Sequence, residues 1–190
     1  LMGQASQPSQ KTWHPLSVLK SVAMIRHTMD VIKQAGQTPV FTVDQPLYCV
    51  AKQIQWNWPD LYGEDKFVVL LGGLHIEMTA LKCLGDWLES SGWTEALVKA
   101  QIASSGKAQA NLAASHVTRT RRAHQLTACA LYILQQNAYS EYNGDLGFSE
   151  WCSEQMKASP HFHYWHITLQ LELLVLMYVH SLREGNFTMY

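Results

Sequence analysis

Charge is scarce in this sequence. Only 15% of its 190 residues are Asp, Glu, Lys or Arg, against about 25% in an average soluble domain. The balance is a net charge of -1, which removes the global electrostatic case for binding nucleic acid or an anionic membrane. Paired-cysteine motifs are missing as well. Cys49, Cys83, Cys129 and Cys152 stand apart with no C-x-x-C among them, a spacing that suits reduced intracellular thiols better than a disulfide scaffold. No apolar run is long enough for a membrane. The stretch from Ile167 to Val179 is interrupted by Thr168, Gln170 and Glu172, and it falls short of the roughly 20 apolar residues a bilayer requires. The first residues are polar, without the apolar core of a signal peptide, so an intracellular location is expected, nuclear if the protein acts on DNA. Serine nucleophile elbows and dinucleotide fingerprints are absent. Gly72-Gly73 follows a strand-like run but lacks the Gly-Lys-Ser/Thr ending of a phosphate loop.

What is present is apolar and aromatic. The chain is 47% hydrophobic, with seven Trp and eight Tyr, enough for a sizeable core and for large side chains between helices or at an interface. Two runs are strand-like. Pro39 to Val43 leads into Asp44-Gln45-Pro46, and Phe67 to Leu71 leads into Gly72-Gly73-Leu74-His75-Ile76-Glu77. Continuous apolar runs suit strands buried on both faces, as in a parallel sheet. In open α/β sheets, chemistry gathers at the carboxyl ends of such strands, which is where Asp44, His75 and Glu77 fall.

The rest of the pattern is helical. Helices are expected over about 15–35, 48–56, 76–90, 113–142 and 149–156, with Thr94 capping a further short one and a small polar loop over 104–111. Ser159-Pro160 reads as an N-cap followed by proline in the first turn of a helix reaching about Arg183. The fold class is therefore α/β with helix dominance, a small and parallel sheet followed by a helical region. The expected organisation is a disordered or linker segment over 1–13, an α/β core fragment over 14–103 and a helical region over 104–190.

Asp44, fixed by a strand and exposed by the loop after it, suits a divalent-metal ligand or a general base; Asp-Gln-Pro is equally good turn chemistry. His75 and Glu77 are a metal or base pair only if the residues before about Ile76 are extended, because alternate helical positions do not share a face. Otherwise Glu77 simply favours a helix N-terminus. His161, His163 and His166 form the densest histidine cluster, a zinc-type spacing set among Phe162, Tyr164 and Trp165, where structural histidines are the plainer reading. Arg119, Arg121 and Arg122 form the one basic cluster, suited to phosphate contact or to a solvated helix face.

The stretches Val43-Asp44-Gln45-Pro46-Leu47-Tyr48, Gly73-Leu74-His75-Ile76-Glu77-Met78 and Arg183-Glu184-x-Asn186-Phe187 resemble proteins encoded by transposable elements and their relics in animal genomes, notably those of fish and cnidarians. The resemblance runs from about residue 38 onward. The layout of that group is similar to the ribonuclease-H-like core of cut-and-paste transposases, so the resemblance implies an incomplete ribonuclease-H-like core with a helical insertion. It also implies metal-dependent DNA strand transfer using Mg2+ or Mn2+. It gives Asp44 the role of first acid and metal ligand. Gly73 stands where related sequences carry the second acid, which leaves Glu77 as its substitute, and Glu172 and Glu184 are the candidates for the last acid. The implied chain is a catalytically incomplete, transposon-derived fragment with DNA as its partner. The alternative is a non-enzymatic helical interaction domain, domesticated or inert, that self-associates through aromatic helices.

Overall fold

The computed structural model describes residues 22–27, 30, 38–186 and 188. The expected segment 1–13 and most of the expected helix over 15–35 lie outside them, although 22–27 are helical. The chain divides into two compact units, 1–75 and 76–190, earlier than the boundary near residue 103 read from the sequence. The architecture is helix-dominated with a small parallel sheet, as the pattern predicts.

The first unit is a β-α-β element. Strand β1 (Val40–Val43) pairs in parallel with β2 (Val68–Leu71), Val40 opposite Val68 and Val43 opposite Leu71. Between them run helix α1 (Gln45–Asn57) and a single helical turn, α2 (Pro59–Tyr62). Val50, Ala51 and Ile54 of α1 form the core with Tyr62, Phe67 and Val69. The expectation of strands buried on both faces does not hold. Val40, Val68 and Leu70 are 56%, 40% and 44% exposed, because helix α1 covers only the face that carries Phe41, Val43 and Val69.

The second unit is helical: most of α3 (Gly73–Leu88), α4 (Trp93–Lys99), α5 (Ser105–Leu112), α6 (Val117–Ser140), α7 (Phe148–Ala158) and α8 (Pro160–Glu184). Helix α8 begins as its sequence predicts: Ser159 Oγ accepts the Phe162 N–H at 3.2 Å and Pro160 lies in the first turn. It closes at Gly185, whose φ of +62° is left-handed. The stretch read as a polar loop is instead helix α5. Its small residues hide a helical stripe, with Ala108 and Leu112 four apart and both buried, and alanine is the strongest helix former. Thr94 does not cap α4; Gly92 does, at φ +87°. Helices α3 and α5 cross very closely at Gly85, where an added Cβ would stand 1.9 Å from the Leu112 carbonyl oxygen. Only glycine fits there.

Candidate functional site

The strand ends carry structure before chemistry. Asp44 is the N-cap of α1: its Oδ1 accepts the Leu47 N–H at 3.0 Å, and its own carbonyl accepts the Tyr48 N–H at 2.8 Å. At the second strand end, the Gly72 N–H continues the ladder by donating to the Val43 carbonyl at 2.8 Å. A side chain there would press on that carbonyl at 3.2 Å. Helix α3 begins at once, at Gly73, so His75 and Glu77 are both helical and diverge by about 200° around the axis. Glu77 is 3% exposed and is held by Arg121 through two hydrogen bonds, Nε to Oε1 at 2.6 Å and Nη2 to Oε2 at 2.8 Å. That bidentate fork is the strong form of a charge pair.

A two-metal centre needs carboxylates free to clamp both ions. Glu77 has both oxygens engaged by Arg121, and Asp44 has one engaged by its cap. Among the described residues no three His, Cys, Asp or Glu side chains come together as a metal-binding group. The residues present do not fit the Mg2+ or Mn2+ pair that the transposase resemblance implies. The histidine cluster is likewise dispersed. His161 Nε2 accepts from the Trp165 indole at 3.2 Å, and the His166 ring sits between Gln135 and Gln170, at 3.0 Å from each. Burial, reinforced by the neighbouring His163, holds the His166 pKa below the ordinary imidazole value.

The basic cluster separates in a way its spacing foretells in part. Arg119 and Arg122, three residues apart on one face of α6, line a single hollow of about 440 Å³ together with Lys107 from α5. Ile102, Ala103, Asn111, Ala123 and Leu126 complete its walls. Arg119, Arg122 and Lys107 are all exposed, and none of them has an acidic partner among the described residues. Arg121 lies on another face and belongs to Glu77. Lys107 is the member that sequence reasoning missed; it sits in the segment taken for a loop.

Beside this hollow runs a larger one of about 500 Å³, lined mainly by Leu97, Ile102, Leu126, Ala130, Leu134 and Trp165. Ile102 and Leu126 belong to both. Leu134 is 63% exposed, Ile102 46% and Leu126 42%. Its few polar wall groups include Thr127, Gln135, Ser159 and His161. The Thr127 hydroxyl is already engaged, accepting the Trp93 indole N–H at 2.7 Å and donating to the Ala123 carbonyl at 2.9 Å.

Behind the groove wall formed by Trp93, a buried polar pair ties two helices together. His124 Nδ1 and Glu172 Oε1 are 2.7 Å apart with both side chains fully buried, and Trp93 stacks on the His124 ring at 5.1 Å. His124 Nε2 and Glu172 Oε2 have no hydrogen-bond partner among the described residues. Burial raises the Glu172 pKa above the usual carboxylate value, with His124 opposing the shift. Away from the groove, the half-exposed Trp87 indole donates to the buried Thr168 hydroxyl at 2.9 Å, a second tie to α8. Glu172, a candidate last acid by resemblance, is thus a buried tie between α6 and α8.

No helix among the described residues is long and apolar enough to cross a membrane. Comparison with curated proteins and with solved structures gives no match. A family model matches residues 16–146, which takes in the α/β unit, the basic hollow and the groove walls on α4 and α6 but not α7 or α8. The chain belongs to the family described as Domain of unknown function (DUF8702).

Proposed function

We propose that this protein is a non-enzymatic interaction domain whose helical unit docks an amphipathic helix of a partner protein in the groove along α6. The observation that carries this reading is the groove itself, about 500 Å³ of mainly apolar wall with Leu134, Ile102 and Leu126 exposed along it. Its shape suits a helix. Arg119, Arg122, Leu126, Ala130, Leu134 and Ala138 follow one another at intervals of three or four along α6, a stripe about 28 Å long at 1.5 Å per residue. Ala96, Ala100, Ala130 and Ala138 keep the walls low, which lets a second helix backbone approach closely. Helix-in-groove docking reads apolar anchors at such spacing.

The test is a display selection of helical peptides against the 190-residue chain. Peptides with apolar residues at helical spacing should be enriched. Their binding should be lost in Leu134→Glu and kept in Leu174→Glu, which alters an equally exposed leucine on α8. Equal loss in both variants, or no enrichment, contradicts the reading.

A second reading is DNA binding by a transposon-derived fragment, favoured by the convergence of Lys107, Arg119 and Arg122 on one hollow. Such cations would contact backbone phosphates. Duplex binding should then weaken steeply with salt and be lost in Arg119→Gln/Arg122→Gln, while Arg121→Gln would act on stability instead.

A further inference from the structure

The groove and the basic hollow are two ends of one surface. Ile102 and Leu126 are walls of both, and the stripe along α6 changes character at Leu126. Toward the helix N-terminus lie Arg122 and Arg119, with Lys107 reaching in from α5; toward the C-terminus lie Ala130, Leu134 and Ala138. Arg119 is in the first turn of α6, where the helix dipole adds to the attraction for an anion. The two acidic residues that engage α6 near this point are already taken, Glu77 by Arg121 and the buried Glu172 by His124, so the three hollow cations are left to act outward.

Resting on the docking reading above, we propose that the partner helix carries carboxylates at one end and that Lys107, Arg119 and Arg122 receive them, fixing the direction in which the helix lies. The partner class is an acidic amphipathic helix, with an apolar stripe over Leu126 to Ala138 and Glu or Asp over the Arg119 end. Arginine presents a planar fork that matches a carboxylate in two parallel hydrogen bonds, and charged pairs at an interface set register and orientation more than raw affinity. A helix presented the other way round would leave its acids over aliphatic wall and its apolar residues over guanidinium groups, both of which disfavour binding.

The probe is a displayed library of 18-residue helices with a fixed leucine stripe and end positions drawn from Glu, Gln and Lys. It is selected against the wild-type chain and against Lys107→Gln/Arg119→Gln/Arg122→Gln. These three side chains are exposed, so the variant should keep its thermal unfolding unchanged. The wild type should enrich Glu at one end about tenfold over Gln, as one charge-assisted contact implies, and the triple variant should show no such bias while still selecting the leucine stripe. Enrichment of the stripe without an acidic bias overturns this inference and leaves the docking reading standing. An acidic bias that persists in the triple variant also overturns it. No enrichment against either chain removes both. A 20-base-pair DNA duplex that binds with the same sensitivity to the triple substitution, where the library shows no acidic bias, assigns the hollow to phosphates and overturns the inference.

Discussion

The candidate site residues of the two units are held in different ways. In the α/β unit Asp44 is used locally, as the cap of the next helix. In the helical unit polar residues act over long sequence distance. Glu77 meets Arg121, His124 meets Glu172 and Trp87 meets Thr168, while Lys107, Arg119 and Arg122 are left facing outward. A residue's type suggests what it can do, but whether it is free to do so depends on which neighbours claim its hydrogen-bonding atoms first.

The sharpest way to break that contrast is to remove one partner of a buried pair. Glu77→Ala strands the Arg121 guanidinium in a largely buried position and should cost about 3 kcal/mol or more in urea unfolding. A joint Glu77→Leu/Arg121→Leu change should recover most of the loss, since well-packed apolar residues commonly replace such pairs at little cost. Gly85→Ala should cost about 3 kcal/mol by the same measurement, because the new methyl falls on the Leu112 carbonyl with no room to yield.

Glu172→Gln sharpens the comparison through pH. Burial raises the Glu172 pKa, so the folded chain holds that proton more tightly than the unfolded chain. Its contribution is fully present below the ordinary carboxylate value of 4.5 and is lost as pH rises through the raised value. The glutamine variant should therefore gain on wild type as pH rises above about 4.5, with a slope no steeper than about 1.4 kcal/mol per pH unit, in chemical unfolding repeated across pH. The smallest effect is in the α/β unit. Asp44→Ala should cost about 1 kcal/mol as a lost cap and Asp44→Asn close to nothing, because asparagine caps equally well. A Mn2+ titration should not distinguish Asp44→Asn from wild type; binding lost in the variant alone would restore the metal role.

The α/β unit was legible because its signals are local. Apolar runs, Pro46 and Gly72 lie next to the elements they define, so strand positions and parallel pairing follow from short windows of sequence. The burial of the sheet was not legible, because alternation of Val40, Thr42, Val68 and Leu70 on an open face looks the same as a run buried on both sides. In the helical unit the sequence shows that Arg119 and Arg122 share a face, yet cannot show that Arg121 is claimed by a glutamate 44 residues earlier. Lys107 was hidden because alanine and small polar residues at 104–111 read as a loop, and the groove because it is assembled from α4, α6 and the start of α8, which are far apart in sequence. The signal that would have found them is the four-residue spacing of Ala108 and Leu112, together with the alanines at 96, 100, 130 and 138. The buried His124 and Glu172 pair carries no sequence signal, since nothing in either local pattern marks a polar residue for full burial.

The central claim is that the α6 groove, rather than another exposed apolar surface, is where a partner docks. Methyl-resolved NMR of the chain with a selected helix tests it most directly. The account predicts shift changes at the methyls of Leu97, Ile102, Leu126 and Leu134, with Leu174 and Met177 of α8 unmoved; changes at Leu174 and Met177, with the groove methyls still, would contradict it.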